Sequence, residues 1–71
     1  MIIIDLTSYR CPLPLVKVKM ALKQLSDGDS VSVLLSDPGS RQDVPRYLKK
    51  IGVNHFITED SSSVLSLTVT K

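Results

Sequence analysis

Two stretches of this chain alternate between apolar and hydroxyl side chains. Val31, Val33 and Leu35 are spaced by Ser30 and Ser32, and Leu65, Leu67 and Val69 by Ser66, Thr68 and Thr70. Residues two apart share a face of a β-strand, so each stretch predicts a strand with one buried and one solvated face. A sheet built from them must be covered on its apolar side. The segments between them supply the cover. From Pro12 to Leu25 the spacing is helical, with Leu15, Val18, Leu22 and Leu25 on one face, Ala21 beside them, and Lys17, Lys19, Lys23 and Gln24 opposite. Ser26-Asp27-Gly28-Asp29 closes that helix as a turn cluster. A second helix is expected from about Ser40 or Asp43 to Ile51, with Val44, Tyr47, Leu48 and Ile51 on its apolar face. Proline is tolerated only in a first helical turn, so Pro45 favours Asp43 as the cap, and Gly52 suits the position just past the end.

The apolar, β-branched run Ile2–Leu6 predicts a first strand, Val53–Glu59 a third, and Asp60-Ser61-Ser62-Ser63 a hairpin loop before the last. The order is therefore β-α-β-α-β-β. Crossovers between parallel strands are almost always right-handed, which puts both helices on one face of the sheet. The expected fold is a two-layer α/β (α+β) sandwich, made of a single domain over residues 1–71.

Composition narrows the chemistry. Hydrophobic residues make up 42% and charged residues 23%, a globular balance, while only 4% are aromatic, so the core must be Ile, Leu and Val. A chain this short buries only about 60% of its unfolded surface. With a single cysteine, it can form no internal disulfide, no four-cysteine zinc site and no C-x-x-C redox pair. Small secreted domains usually need such staples, so a reducing compartment is expected. Met1-Ile2-Ile3-Ile4 is too short for the apolar part of a signal peptide, and no stretch approaches the ~20 apolar residues of a membrane span. The expected location is the cytoplasm. A net charge of +2 lacks the concentrated Lys/Arg stripe of a nucleic-acid binder, so direct nucleic-acid binding is not expected.

Topology then places residues in space. The loops leaving the first and second strands emerge at one edge, which is the usual ligand side of an open α/β sheet. They carry Arg10-Cys11-Pro12-Leu13-Pro14 and Ser36-Asp37-Pro38-Gly39. Cys11 precedes the first helix, where the helix N-terminus and Arg10 both favour a thiolate, so a depressed pKa is expected. Pro12 and Pro14 bracket Leu13 and stiffen the turn that presents the sulfur. A lone cysteine is more often a small buried hydrophobe, but this one stands in a loop outside any apolar periodicity. Asp37 suits an Asx-type turn before Pro38 and can also meet a partner. Arg41 lies early in the second helix near the same edge, whereas Lys17 and Arg46 read as solvated charges. His55 opens the third strand at the opposite edge, which argues against a Cys–His dyad.

Taken together, Cys11-Pro12-Leu13-Pro14, the upstream Asp5-Leu6 and the downstream Asp37-Pro38 and Asp43-Val44-Pro45 resemble the TusA/SirA family of small sulfur-carrier proteins. The likeness runs over essentially the whole chain. It implies a β-α-β-α-β-β sandwich with a mixed four-stranded sheet, and a cysteine that accepts sulfane sulfur as a persulfide. That role carries over to Cys11 alone. The resemblance further implies a protein donor such as a cysteine desulfurase, a protein acceptor, and an end use in tRNA thiolation or another sulfur-trafficking route. It implies a persulfide relay rather than a stand-alone catalyst, and no cofactor or metal. The family often has glycine three residues before the cysteine, where this chain has Ser8. Two other classes remain open on the residues alone: a thiol-based redox or regulatory protein, and an RNA-binding module of similar fold.

Overall fold

The computed structural model describes residues 2–71. Its elements are β1 (Ile2–Asp5), α1 (Leu13–Gln24), β2 (Ser30–Leu35), α2 (Pro38–Ile51), β3 (Asn54–Asp60) and β4 (Leu65–Thr70). The alternating stretches are the two central strands of a sheet ordered β1-β2-β4-β3. β1 runs parallel to β2, while β4 is antiparallel to both β2 and β3, so the sheet is mixed. The register sets Val31 beside Val69, Val33 beside Leu67 and Leu35 beside Leu65, which puts all six on one face. That face is sealed by Leu6, Val18, Leu22, Leu25, Val44 and Leu48, and these twelve residues form the buried core. The core contains only Leu and Val, and Ile4, Leu15, Tyr9, Tyr47 and Val53 pack around it half-buried.

α2 starts earlier than its proline suggested. It begins at Pro38 with Asp37 as the cap, and Pro45 lies in its interior. Proline at the first helical position loses nothing, and the Asp37 side chain accepts the Ser40 N–H at 3.0 Å. Pro45 leaves the Arg41 carbonyl without its helical N–H partner. Val44 and Leu48, both wholly buried, hold the helix across that gap. Ile51 was expected in the core but is exposed. α2 ends there because Gly52 adopts φ 76°, and the chain folds back so that the Val53 N–H bonds the Leu48 carbonyl at 3.2 Å. Val53 then packs against the core in place of Ile51.

The hydroxyl face is less solvated than its composition implied. Ser66 and Thr68 are 8% and 7% exposed although no helix covers them. β4 has a neighbour on each side, so its short side chains are walled in by those strands. Thr58 donates its hydroxyl to the Ser66 carbonyl and Oγ, at 3.2 and 2.9 Å, from a strand whose register shifts between Ile57 and Glu59.

The buried face of α1 predicts unequal responses to truncation. Leu22→Ala should destabilise the fold by roughly 2–5 kcal/mol, the usual cost of emptying a core site. Met20, 56% exposed on the opposite side of the same helix, should tolerate Ala within about 0.5 kcal/mol. Urea titrations of the two variants test the assignment of the face.

Candidate functional site

The register fixes which ends of the strands meet. Asp5 lies beside Leu34, Leu35 beside Leu65, and Leu65 beside Asp60, so the segments after β1 and β2 and the β3–β4 hairpin share one sheet edge. His55 pairs with Val69, and Val69 with Val31, which pairs with Ile2 at the other edge. There His55 Nδ1 lies 2.9 Å from the Val53 carbonyl. It is therefore no partner for the cysteine.

Beyond β1 the chain turns on its own polar groups. The Asp5 carboxylate accepts the Thr7 N–H at 3.0 Å and the Thr7 hydroxyl at 2.6 Å, an arrangement that holds its pKa below the ordinary carboxylate value. The Tyr9 N–H returns to the Leu6 carbonyl at 3.1 Å. Ser36, from the loop after β2, donates its hydroxyl to the Thr7 carbonyl and ties the two loops together. Among the described residues no non-glycine has a positive φ, so Ser8 stands in backbone that any residue adopts.

Cys11 follows this turn and is exposed. Its N–H donates to Asp37 Oδ2 at 3.2 Å, the same oxygen that accepts the Ser40 N–H and, at 3.2 Å, the Ser40 hydroxyl. The cysteine thereby rests on the first turn of α2. Gly39 eases the approach: a Cβ there would lie a tight 3.3 Å from both Cys11 Cβ and Asp37 Oδ2. One turn further along that face stands Asp43, and the Cys11 thiol donates to Asp43 Oδ2 at 3.4 Å.

This geometry reverses the expected electrostatics. The Cys11 pKa is raised, first by its hydrogen bond to Asp43, then by partial desolvation and the charges of Asp43 and Asp37. The N–H groups at the start of α2, which would otherwise favour a thiolate, are taken by Asp37. Its carboxyl is held below the ordinary range by the Ser40 amide first, and also by the Cys11 amide.

The remaining residues of interest scatter around the sulfur. Arg10 and Pro12 are exposed and Pro14 is buried. Arg41 does reach the common edge, but it spends its guanidinium on the hairpin. Nη2 pairs with Asp60 Oδ1 at 2.9 Å and donates to the Ser61 carbonyl at 2.6 Å, and Nη1 donates to the Ser62 carbonyl at 3.4 Å. Lys17 lies over the Tyr9 ring at 4.8 Å rather than free in solvent. Asp43 is the side chain that sequence reasoning used as a cap and as part of the family likeness, without bringing it to the sulfur. With the helix started at Asp37 instead, the spacing Gly39 to Asp43 sets both on one face, and that is the signal that would have found it.

The family model for the sulfurtransferase TusA matches residues 2–71. A protein of Neisseria meningitidis serogroup A whose name proposes a sulfur carrier is 32% identical over 93% of this chain and 89% of its own length. The sulfur carrier protein TusA of Allochromatium vinosum is 35% identical over 69% of this chain and 64% of its own. Among solved structures, the SirA-like protein from Desulfitobacterium hafniense superposes with a TM-score of 0.83 at 31% identity, covering 99% of this chain and 96% of that one.

Three measurements follow from the site. Thiolate absorbance, followed against pH, should place the Cys11 titration above the ~8.5 of an unperturbed cysteine. Arg41→Ala should speed amide exchange in the Ser61–Val64 loop, whereas Asp60→Asn, which removes only an exposed carboxylate from a half-buried Arg41, should alter stability by no more than about 1 kcal/mol.

Proposed function

Because this chain belongs to the TusA/SirA family of small sulfur-carrier proteins, we propose that Cys11 is its carrier site, loaded by one protein and unloaded by another. The sulfur of Cys11 attacks the outer sulfur of a donor persulfide, and the donor S–S bond breaks. The products are the Cys11 persulfide and the donor thiol. At the acceptor the same exchange runs in the opposite sense, and neither step needs an external oxidant or reductant. A cysteine desulfurase suits the donor role, and the sulfur then passes to tRNA thiolation or another trafficking route. The setting of this single-domain carrier is the cytoplasm. No helix among the described residues is long and apolar enough to cross a membrane.

The observation that carries this reading is the exposure of Cys11 at the ligand edge of the sheet, on a backbone held by Asp37. Only an exposed sulfur can meet a cysteine of a second protein. As the one thiol in the chain, it cannot discharge its persulfide into an internal disulfide.

Cys11→Ser tests the proposal through two results required together. The variant should melt almost as the wild type does, since the side chain lies outside the core. It should also fail to gain the mass of one sulfur atom when incubated with cysteine and a desulfurase, while the wild type gains it. A wild type that alkylates readily yet takes sulfur from no donor would instead identify a thiol regulator.

A further inference from the structure

Among the described residues the ion pair of Arg41 with Asp60 is the only one. Neither carboxylate facing the sulfur is therefore matched by a cation. The two are not equivalent. Asp37 is engaged by the Ser40 amide and hydroxyl and by the Cys11 amide. The side chain of Asp43 has one hydrogen-bond partner among those residues, the Cys11 thiol at 3.4 Å. It is half-buried and stands more than a turn inside α2, where the positive end of the helix offers it little. Arg10, next to the cysteine in sequence, is exposed, and α1, which follows it, carries no acidic residue. A thiol fits this seat as a donor, whereas a thiolate would set one negative charge against another.

We propose that Asp43 keeps Cys11 as a thiol in the free protein, and that the partner exchanging sulfur here presents a lysine or arginine beside its own reacting sulfur, whose cation takes over the Asp43 carboxylate and releases the cysteine for attack. The proposal rests on the carrier reading of Cys11. In the exchange the Cys11 S–H bond breaks and a bond forms to the outer donor sulfur. The donor S–S bond breaks in turn, and its inner sulfur keeps the electron pair and takes up the proton. Asp43 ends paired with the partner's cation. Oxidation states balance, because one sulfane sulfur is exchanged for one hydrogen.

Charge-tagged thiol reagents on the free protein test the Asp43 half. A cationic methanethiosulfonate should react with wild-type Cys11 several-fold faster than an anionic one. Asp43→Asn should erase most of that preference and speed alkylation by neutral iodoacetamide, while Asp43→Glu should stay near the wild type. Asp43→Ser makes the same comparison if the amide variant unfolds. Equal rates in the wild type and the neutral variants, or a glutamate variant that behaves like them, would overturn the proposal. Loading from small persulfides tests the partner half: the cationic persulfide of cysteamine should load the wild type faster than that of mercaptopropionate, and Asp43→Asn should lose the difference. No preference in the wild type would refute a cationic partner. If neither persulfide loads Cys11, the carrier reading fails, while the alkylation rates still decide the role of Asp43.

Discussion

One carboxylate oxygen ties this molecule's working edge together. Asp37 Oδ2 takes the Ser40 N–H, the Ser40 hydroxyl and the Cys11 N–H, and so starts α2 and anchors the loop before α1 in the same act. Three donors on one oxygen favour the ionised form, in agreement with its lowered pKa. The sign follows: the tie is complete above the ordinary carboxylate pKa and is lost only as pH falls through the lower, folded value. At neutral pH it is a permanent feature. The same tie commits the positive end of α2, because the carboxylate is already the anion that this helix terminus would attract. What reaches the sulfur beyond it is carboxylate charge from Asp37 and Asp43.

The sheet supports this arrangement by placing three connections at one edge. Parallel pairing of β1 with β2 brings their C-terminal loops side by side, and Ser36 stitches them through the Thr7 carbonyl. Antiparallel β4 then returns the chain so that the β3–β4 hairpin opens at that edge too, where Arg41 fastens it to α2. Since β4 is buried on both faces, its register cannot slip without moving Leu65, Leu67 and Val69 out of the core. Stability and site geometry thus rest on the same strand. A domain this small has little core to spare for supporting a site separately.

The alternation of Val31, Val33 and Leu35 and of Leu65, Leu67 and Val69 made the sheet legible because period two survives any tertiary detail. The mixed sheet itself came from the family likeness, which the solved SirA-like structure bears out. The start of α2 was misread because Pro45 is a strong local signal. The burial of Val44 and Leu48, which outweighs it, is a tertiary quantity. Ser66 and Thr68 were read as solvated because composition cannot report how many strands flank a strand. The thiol's environment was the deepest miss. Arg10 and a helix start are adjacent to Cys11 in sequence, whereas Asp37 and Asp43 reach it only through the close approach at Gly39. Local charge was visible, and the through-space charge that prevails was not.

A raised thiol pKa fits a carrier better than it first suggests. Reaction requires the thiolate, so a cysteine held protonated is protected from stray electrophiles while it travels between partners. Intrinsic nucleophilicity rises with thiol pKa, with a Brønsted coefficient of about 0.4–0.5, so a sulfur released to an ordinary pKa attacks faster, thiolate for thiolate, than one whose pKa a standing positive charge has lowered. The difficulty moves to unloading, since a thiol of high pKa is a poor leaving group when an acceptor attacks its persulfide. Whatever offsets Asp43 on loading must therefore do so again on unloading. A carrier that visits two proteins meets that demand if both surround the reacting sulfur with positive charge. On the proposed role of Asp43, sulfur exchange depends on docking, and exposure alone does not make the cysteine reactive.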